Sequence, residues 1–216
     1  MTPQFAQAVD RIFLAVLGLL ERISHNEPLV PSEERVRIRA ALDNAESVFG
    51  QSQDWQLSRY ALVAWIDDVL IEAPWEGRQW WEENALEVEI FNTRDAYTAF
   101  YAKAAEAATL TQKNALEVFY VCVVLGFRGL YRDASAVVMA DQLHLPPDLA
   151  AWTKQTALAI RLGQGRPPIT ESPRPGDGAP ALEGKFALVG ATLLSVVLAA
   201  FTAVLGFLLF SGLATP

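Results

Sequence analysis

An all-α body followed by one membrane-crossing helix is the fold class this sequence predicts, and three observations predict it. Apolar residues recur at helical spacing through the first 162 positions, with no sustained alternation between Gly-rich turns that strands require. Gly163 to Gly184 then holds five prolines and five glycines among 22 residues, a composition that buries little and interrupts both helix and sheet. Last comes Phe186 to Phe210, 25 residues without a charge. At about 1.5 Å of rise per residue such a run reaches roughly 37 Å, enough to cross a hydrocarbon core of about 30 Å with some tilt.

The expected organisation is a helical domain at 1–162, a Pro/Gly linker at 163–185, a transmembrane helix at 186–210 and a short tail at 211–216. A flexible coil of the linker's length spans roughly 25 Å, so the body can reorient beneath a bilayer. Arg166, Arg174 and Lys185 precede the span and Ser211 to Pro216 carries no charge, which predicts a cytoplasmic N-terminus and a periplasmic C-terminus. Ile12 to Leu20 is too short for a signal peptide, is flanked by Asp10, Arg11, Glu21 and Arg22, and lacks a small-residue cleavage site. It belongs to the body.

Within the body, a first helix from about Gln4 to Asn26 shows Phe5, Val9, Ile12, Phe13, Val16, Leu20 and Ile23 on one face and stops before Pro28. Ser32 is the expected cap of a second helix that ends at Gly50. Asp54 is the expected cap of a third, which runs through Tyr60 and Trp65 until Pro74 stops it. A tryptophan-rich stretch reads as irregular. Thr93 then caps a helix to about Ala108, and Thr109 with Gln112 reads as the capping box of another reaching Leu125. Gly126 and Gly129 turn the chain, a short helix follows around Asp133 to Gln142, and Pro146-Pro147 opens a final one that Gly163 closes.

Composition limits the chemistry. The single cysteine, Cys122, forms no internal disulfide, and its valine neighbours suggest a packed thiol in a reducing compartment. His25 and His144 have no cysteine partners at zinc-ligand spacing. Of the net charge of −8, the window Asp67 to Glu89 supplies eight acids against one base, Arg78. That concentration repels nucleic acid and anionic head groups and attracts basic protein surfaces. No nucleophile elbow, P-loop, metal-binding histidine pair or dinucleotide fingerprint is present, so neither an enzyme nor a cofactor is expected.

Two segments carry the functional reading. Tyr60 to Ile71 is apolar all round except for Asp67 and Asp68, and carboxylates on a buried helix must be paired or open to a groove. One reading pairs them internally, with a backbone N–H or with an arginine such as Arg128. The other lets them line a cleft with Glu72 and Trp75 that receives a basic partner. Adjacent helical residues point about 100° apart, so the two do not converge as a hydrolase pair does. The second segment, Phe119 to Tyr131, sets two glycines among large aromatics.

Arg59-Tyr60-Ala61-Leu62 leading into the acidic pair, Pro74-Trp75 ahead of Trp80-Trp81, and Tyr120-x-Cys122-x-x-Leu125-Gly126-Phe127-x-Gly129-x-Tyr131 stand in the order of the DotU/IcmH family, called TssL in type VI secretion. The chain resembles that family closely over about Asp54 to Arg166 and by architecture elsewhere. The resemblance implies two packed small helical bundles of hook-like outline, anchored by a C-terminal helix in the bacterial inner membrane. It implies a scaffold that joins an IcmF/TssM-like inner-membrane protein to cytoplasmic baseplate components, with a TssJ-like lipoprotein completing the complex and homo-oligomerisation left open. Carried over by position, Asp67 and Asp68 fall in the partner groove, whereas Tyr60, Tyr120, Leu125, Gly126, Phe127, Gly129 and Tyr131 define the fold.

Two departures stand out. Some family members carry a peptidoglycan-binding domain beyond the membrane; six residues follow the span here, and no wall binding is expected. The stretch after Arg132 is unlike the Arg-rich continuation common in the family. Along the span, Ala187, Ala191, Ser195, Ala199 and Ala203 recur every four residues, a smooth stripe on which a second transmembrane helix can pack. The alternatives are the equivalent subunit of a type IVB system, a tail-anchored helical regulator of membrane permeability, which needs an apolar groove, and a membrane-tethered hydrolase, which needs a converging acid and base.

Overall fold

The computed structural model describes residues 1–132, 136–163 and 185–212; readings that fall on 133–135, on the Pro/Gly linker at 164–184 and on 213–216 lie outside the described residues. The chain divides into two units, Met1–Pro167 and Pro168–Pro216. All regular elements among the described residues are helical.

α1 (Pro3–Ser24) begins on a proline, whose missing N–H would have had no helical partner. Its buried stripe runs through Val16, Leu19 and Ile23. Leu19 rather than Leu20 takes the core position, because steps of three and four from Ile12 reach 19, while Leu20 sits at the rim. Asn26, at φ +56°, ends the helix, with Glu27 N–H donating to Arg22 O at 3.1 Å. α2 (Pro31–Phe49) has Val30 at its cap and Pro31 as its first residue, so Ser32 lies inside the first turn instead of capping it. A proline fits that first helical position better than a serine does. Buried Glu34 ties α2 to α1 by accepting from Arg22 at 3.1 Å, and accepts from Arg37 of its own helix at 2.7 Å.

α3 (Gln53–Glu72) is the centre of the body, buried on every face and packed against α2 and all of the helices from α4 to α7. Its cap is Ser52, whose hydroxyl accepts from Trp55 N–H at 3.3 Å, and not Asp54. The tryptophan-rich stretch is ordered as two short helices, α4 (Arg78–Glu83) and α5 (Leu86–Phe91), held by buried Trp81 and Leu86. α6 (Ala96–Thr109) starts after Asp95, so Thr93 is not its cap. Thr109 is the last residue of α6, which rules out the capping box with Gln112; α7 (Asn114–Val124) begins later. Between them Lys113 Nζ donates to Ala108 O and Leu110 O, both at 2.6 Å, closing the end of α6.

α7 ends as the glycine motif anticipates. Gly126 takes φ +117°, Gly126 N–H donates to Val123 O and Phe127 N–H to Cys122 O, a two-bond cap that needs a positive φ. A 3-10 turn, Gly129–Arg132, then leads to α8 (Ala136–Gln142) and α9 (Leu149–Gly163). Asp148 Oδ1 accepts from Ala151 N–H at 2.7 Å, so the cap of α9 lies just after the two prolines. Here the aromatics pack as one group. Phe127 stacks on Phe100 at 3.9 Å, and Tyr101 stands edge-on to Tyr131 at 4.9 Å and Trp152 at 5.3 Å.

One contiguous core runs from α1 through α3 to α9, so the helices share a single interior. In the second unit, α10 (Lys185–Gly212) is a single helix. Its stretch Gly190–Leu208 has a mean hydropathy of 2.3 and no buried residue, while the less apolar Pro3–Ser24 and Asn114–Arg132, at 1.2 and 1.3, bury a third or more of theirs in the body. Length and apolarity allow all three to cross a bilayer, but only Gly190–Leu208 has all its apolar surface left over.

Candidate interaction site

The acids of the central window do three different jobs. Asp67 faces inward, 7% exposed. Its Oδ1 accepts from Trp81 Nε1 and Leu86 N–H, both at 2.9 Å, and its Oδ2 from Glu87 N–H at 2.8 Å. Leu86 and Glu87 are the first two residues of α5, whose own cap position holds Ala85 and offers no acceptor. A carboxylate 19 residues upstream therefore caps α5 from across the core. The expectation that Asp67 lines an open groove is corrected: its oxygens are already occupied.

Glu87 repeats the arrangement one step further along. Its Oε1 accepts from Asp95 N–H at 2.9 Å and Ala96 N–H at 3.0 Å at the start of α6, and from Thr93 Oγ1 at 2.9 Å. Tyr60 OH donates to Asp95 Oδ1 at 3.2 Å and also reaches Glu87. Asp54, displaced from capping its own helix, accepts from Ala115 N–H of α7 at 3.4 Å. Thus α5, α6 and α7 borrow their first-turn acceptors from acids elsewhere in the chain. None of the three has a side-chain cap of its own.

Asp68 and Glu72, one turn apart on α3, face outward to a different partner. Arg132 donates from one guanidinium nitrogen to Asp68 at 2.8 Å and from the other to Glu72 at 2.6 Å. The counterion is therefore Arg132 and not Arg128, whose guanidinium reaches Val123 O at 3.5 Å while its backbone supports Asp68. Glu72 remains 54% exposed. Trp75 is half-buried, its Nε1 donating to Leu70 O at 2.8 Å.

Burial pushes Asp67 up to about 6, against the opposing pull of its three N–H donors. Burial also raises Asp68, in spite of Arg132. The Cys122 thiol is fully buried and pushed well up, an inert packed group. Among the described residues no group of three His, Cys, Asp or Glu side chains is arranged to hold a metal ion.

The motif residues sit in the framework. Leu125 O accepts from Trp65 Nε1 at 3.3 Å, and Tyr131 OH donates to Pro146 O at 2.7 Å. Tyr120 is partly buried against the core. A Cβ at Gly129 would stand 2.8 Å from Phe127 and 2.9 Å from Tyr97 O, at φ +47°. Ala191, Ser195, Ala199 and Ala203 are exposed on α10, and Ser195 Oγ donates within the helix to Ala191 O at 2.8 Å. Sequence reasoning missed Glu87 and Arg132, and gave Asp54 to the start of α3 instead of α7. The available signal was negative: Ala85 and Lys113 stand where a capping side chain belongs, so an acceptor had to come from elsewhere.

Fold and site together define a class: an all-helical body, pinned by buried carboxylates, that continues into one apolar helix of bilayer length. The family described as type VI secretion system protein DotU matches residues 4–215, and the chain belongs to it. A solved structure, the cytoplasmic domain of TssL from Acinetobacter baumannii, is similar at a TM-score of 0.57 and 20% identity, covering 74% of this chain and 98% of that one. That likeness extends to the fold. No curated protein matches the chain.

Proposed function

We propose that this chain is the inner-membrane scaffold subunit of a type VI secretion membrane complex. Its helical body stands in the cytoplasm, residues 186–210 cross the inner membrane, and the final residues reach the periplasm. The body docks baseplate components, while an IcmF/TssM-like protein is its neighbour in the membrane and a TssJ-like lipoprotein joins through that neighbour. The observation that carries this reading is the family match, which runs unbroken through the body and the apolar helix.

The docking face is Asp68, Glu72 and half-buried Trp75. Of the acidic pair, Asp68 has the exposure for it, 17% at the side chain against an inward-turned Asp67, and Glu72 extends the negative surface by one turn. Arg132 shields both acids from each other until a basic partner competes for them. In the membrane, Ala191, Ser195, Ala199 and Ala203 form the face on which the partner's helix packs.

Pull-down from membranes of the full chain, wild type against Asp68→Lys/Glu72→Lys, tests the body. The expected result is loss of baseplate components with retention of the inner-membrane partner. Unchanged recovery of both refutes the docking face. Leucine at 195 and 199 is expected to lose the inner-membrane partner instead.

A further inference from the structure

Two open hollows meet along the seam between the end of α1 and the end of α3. One, of about 560 Å³, lies under the α1–α2 turn and beside Trp75; the other, of about 360 Å³, lies between α1 and the last turn of α3. Both are lined by Ile23 and Pro74, so they form one groove. The smaller hollow has an apolar floor, with Leu20 and Ile23 from α1 and Val69 and Ala73 from the end of α3, while the larger, which includes Leu29, is lined by polar and apolar groups alike. Its edges carry Glu27, Glu72 and Glu76, and no Lys or Arg lines either hollow.

Glu27 and Glu72 are 48% and 54% exposed at the side chain, and Glu76 is exposed as well. Two of these acids are partly countered: Arg22 is shared between Glu27 and Glu34, and Arg132 between Asp68 and Glu72, so each arginine faces two carboxylates and the rim, with Glu76 added, stays net negative. An apolar trough with acids along its rim is complementary to one kind of occupant. Apolar side chains at one-turn spacing fill the floor, and flanking lysines or arginines meet the rim. An anionic bilayer surface is repelled by the same rim.

From this we infer that the seam between α1 and α3 is a docking groove for a basic amphipathic helix of a partner protein. The inference rests on the scaffold reading and adds to it the chemistry of the docked segment and a place for it, reaching from Glu72 away to Leu20 and Leu29. Apolar contact supplies the hold, and the charges set orientation and rate of encounter.

The test places benzoylphenylalanine at Ser24, an exposed residue lining the groove, in the full chain within host membranes. Val48, 55% exposed on α2, is the control position. After irradiation the cross-linked peptides are sequenced. The expected product from position 24 is a segment with apolar residues at three-and-four spacing flanked by Lys or Arg. Its yield falls about fivefold in Glu27→Lys/Glu76→Lys, which changes two exposed side chains and leaves the core intact. A cross-link to lipid, to a second copy of this chain, or to a neutral or acidic segment overturns the inference, as does a yield no higher than at position 48. Pull-down of the complex in the same cells separates the two readings: complex retained with an empty groove refutes the groove alone, and complex that forms without this chain refutes the scaffold.

Discussion

Replacing Asp67 by alanine strands three buried donors at once: Trp81 Nε1–H, Leu86 N–H and Glu87 N–H. Each orphaned donor costs about 1–3 kcal/mol, roughly 6 kcal/mol in all at the middle of that range. Against this stands the relief of no longer burying a carboxylate. Its rise from the ordinary 3.8 to about 6 corresponds to about 3 kcal/mol at neutral pH. The difference leaves Asp67→Ala destabilised by about 3 kcal/mol, with Asp67→Asn intermediate because its carbonyl still accepts from Trp81 and Leu86.

The same balance gives a pH signature. A carboxyl raised by folding holds its proton more tightly in the folded chain than in the unfolded one, so its contribution is fully present below about pH 4 and is lost as pH rises to about 6. Urea unfolding of the full chain in detergent, followed by tryptophan fluorescence, reads this directly. All six tryptophans, Trp55 to Trp152, lie in the body. Asp67→Asn is expected to remove the loss of stability between pH 4 and 6 that wild type shows. An Asp67→Ala variant within about 0.5 kcal/mol of wild type, or equal pH slopes for wild type and Asp67→Asn, refutes the trans-capping account.

Other perturbations separate framework from surface. Glu87→Ala strands the first N–H groups of α6 and is expected to cost about 2–4 kcal/mol in the same unfolding assay, while Glu82→Ala, exposed nearby, stays within about 0.5. Gly129→Ala forces a Cβ against Phe127 and Tyr97 O at positive φ, and is expected to lower stability by about 2–4 kcal/mol or to abolish soluble expression of the fold. Arg132→Ala, 39% exposed at the side chain, is expected to change stability by less than about 1 kcal/mol while raising salt-sensitive capture of basic partners, measured by pull-down at two ionic strengths. A chain ended before Lys185 is expected to leave the membrane fraction on alkaline extraction, whereas the full chain stays.

Much of the fold was legible because it rests on local periodicity. The helical bulk, the stop at Pro74, the turn at Gly126 and the exposed apolar α10 each follow from residues close together in the chain. Capping was not legible in the same way. Ser32, Asp54, Thr93 and the Thr109/Gln112 pair are good local candidates, and none caps the helix expected of it. Acids and N-termini far apart in sequence satisfy each other once α3 is buried between them, and no window of residues carries that information. The division of the acidic pair was hidden for a related reason. Neighbours on a helix face different surroundings, so Asp67 meets α5 while Asp68 meets Arg132 from a turn more than 60 residues later.

Composition and spacing alone therefore established an all-helical body and a lipid-length apolar helix, because hydrophobic burial and chain stiffness act through residues within one or two turns. Tertiary contact alone decided which acids became internal caps, which stayed at the surface, and that an apolar groove opens beside them. A buried carboxylate is stable only where donors converge on it, and convergence belongs to the packed chain.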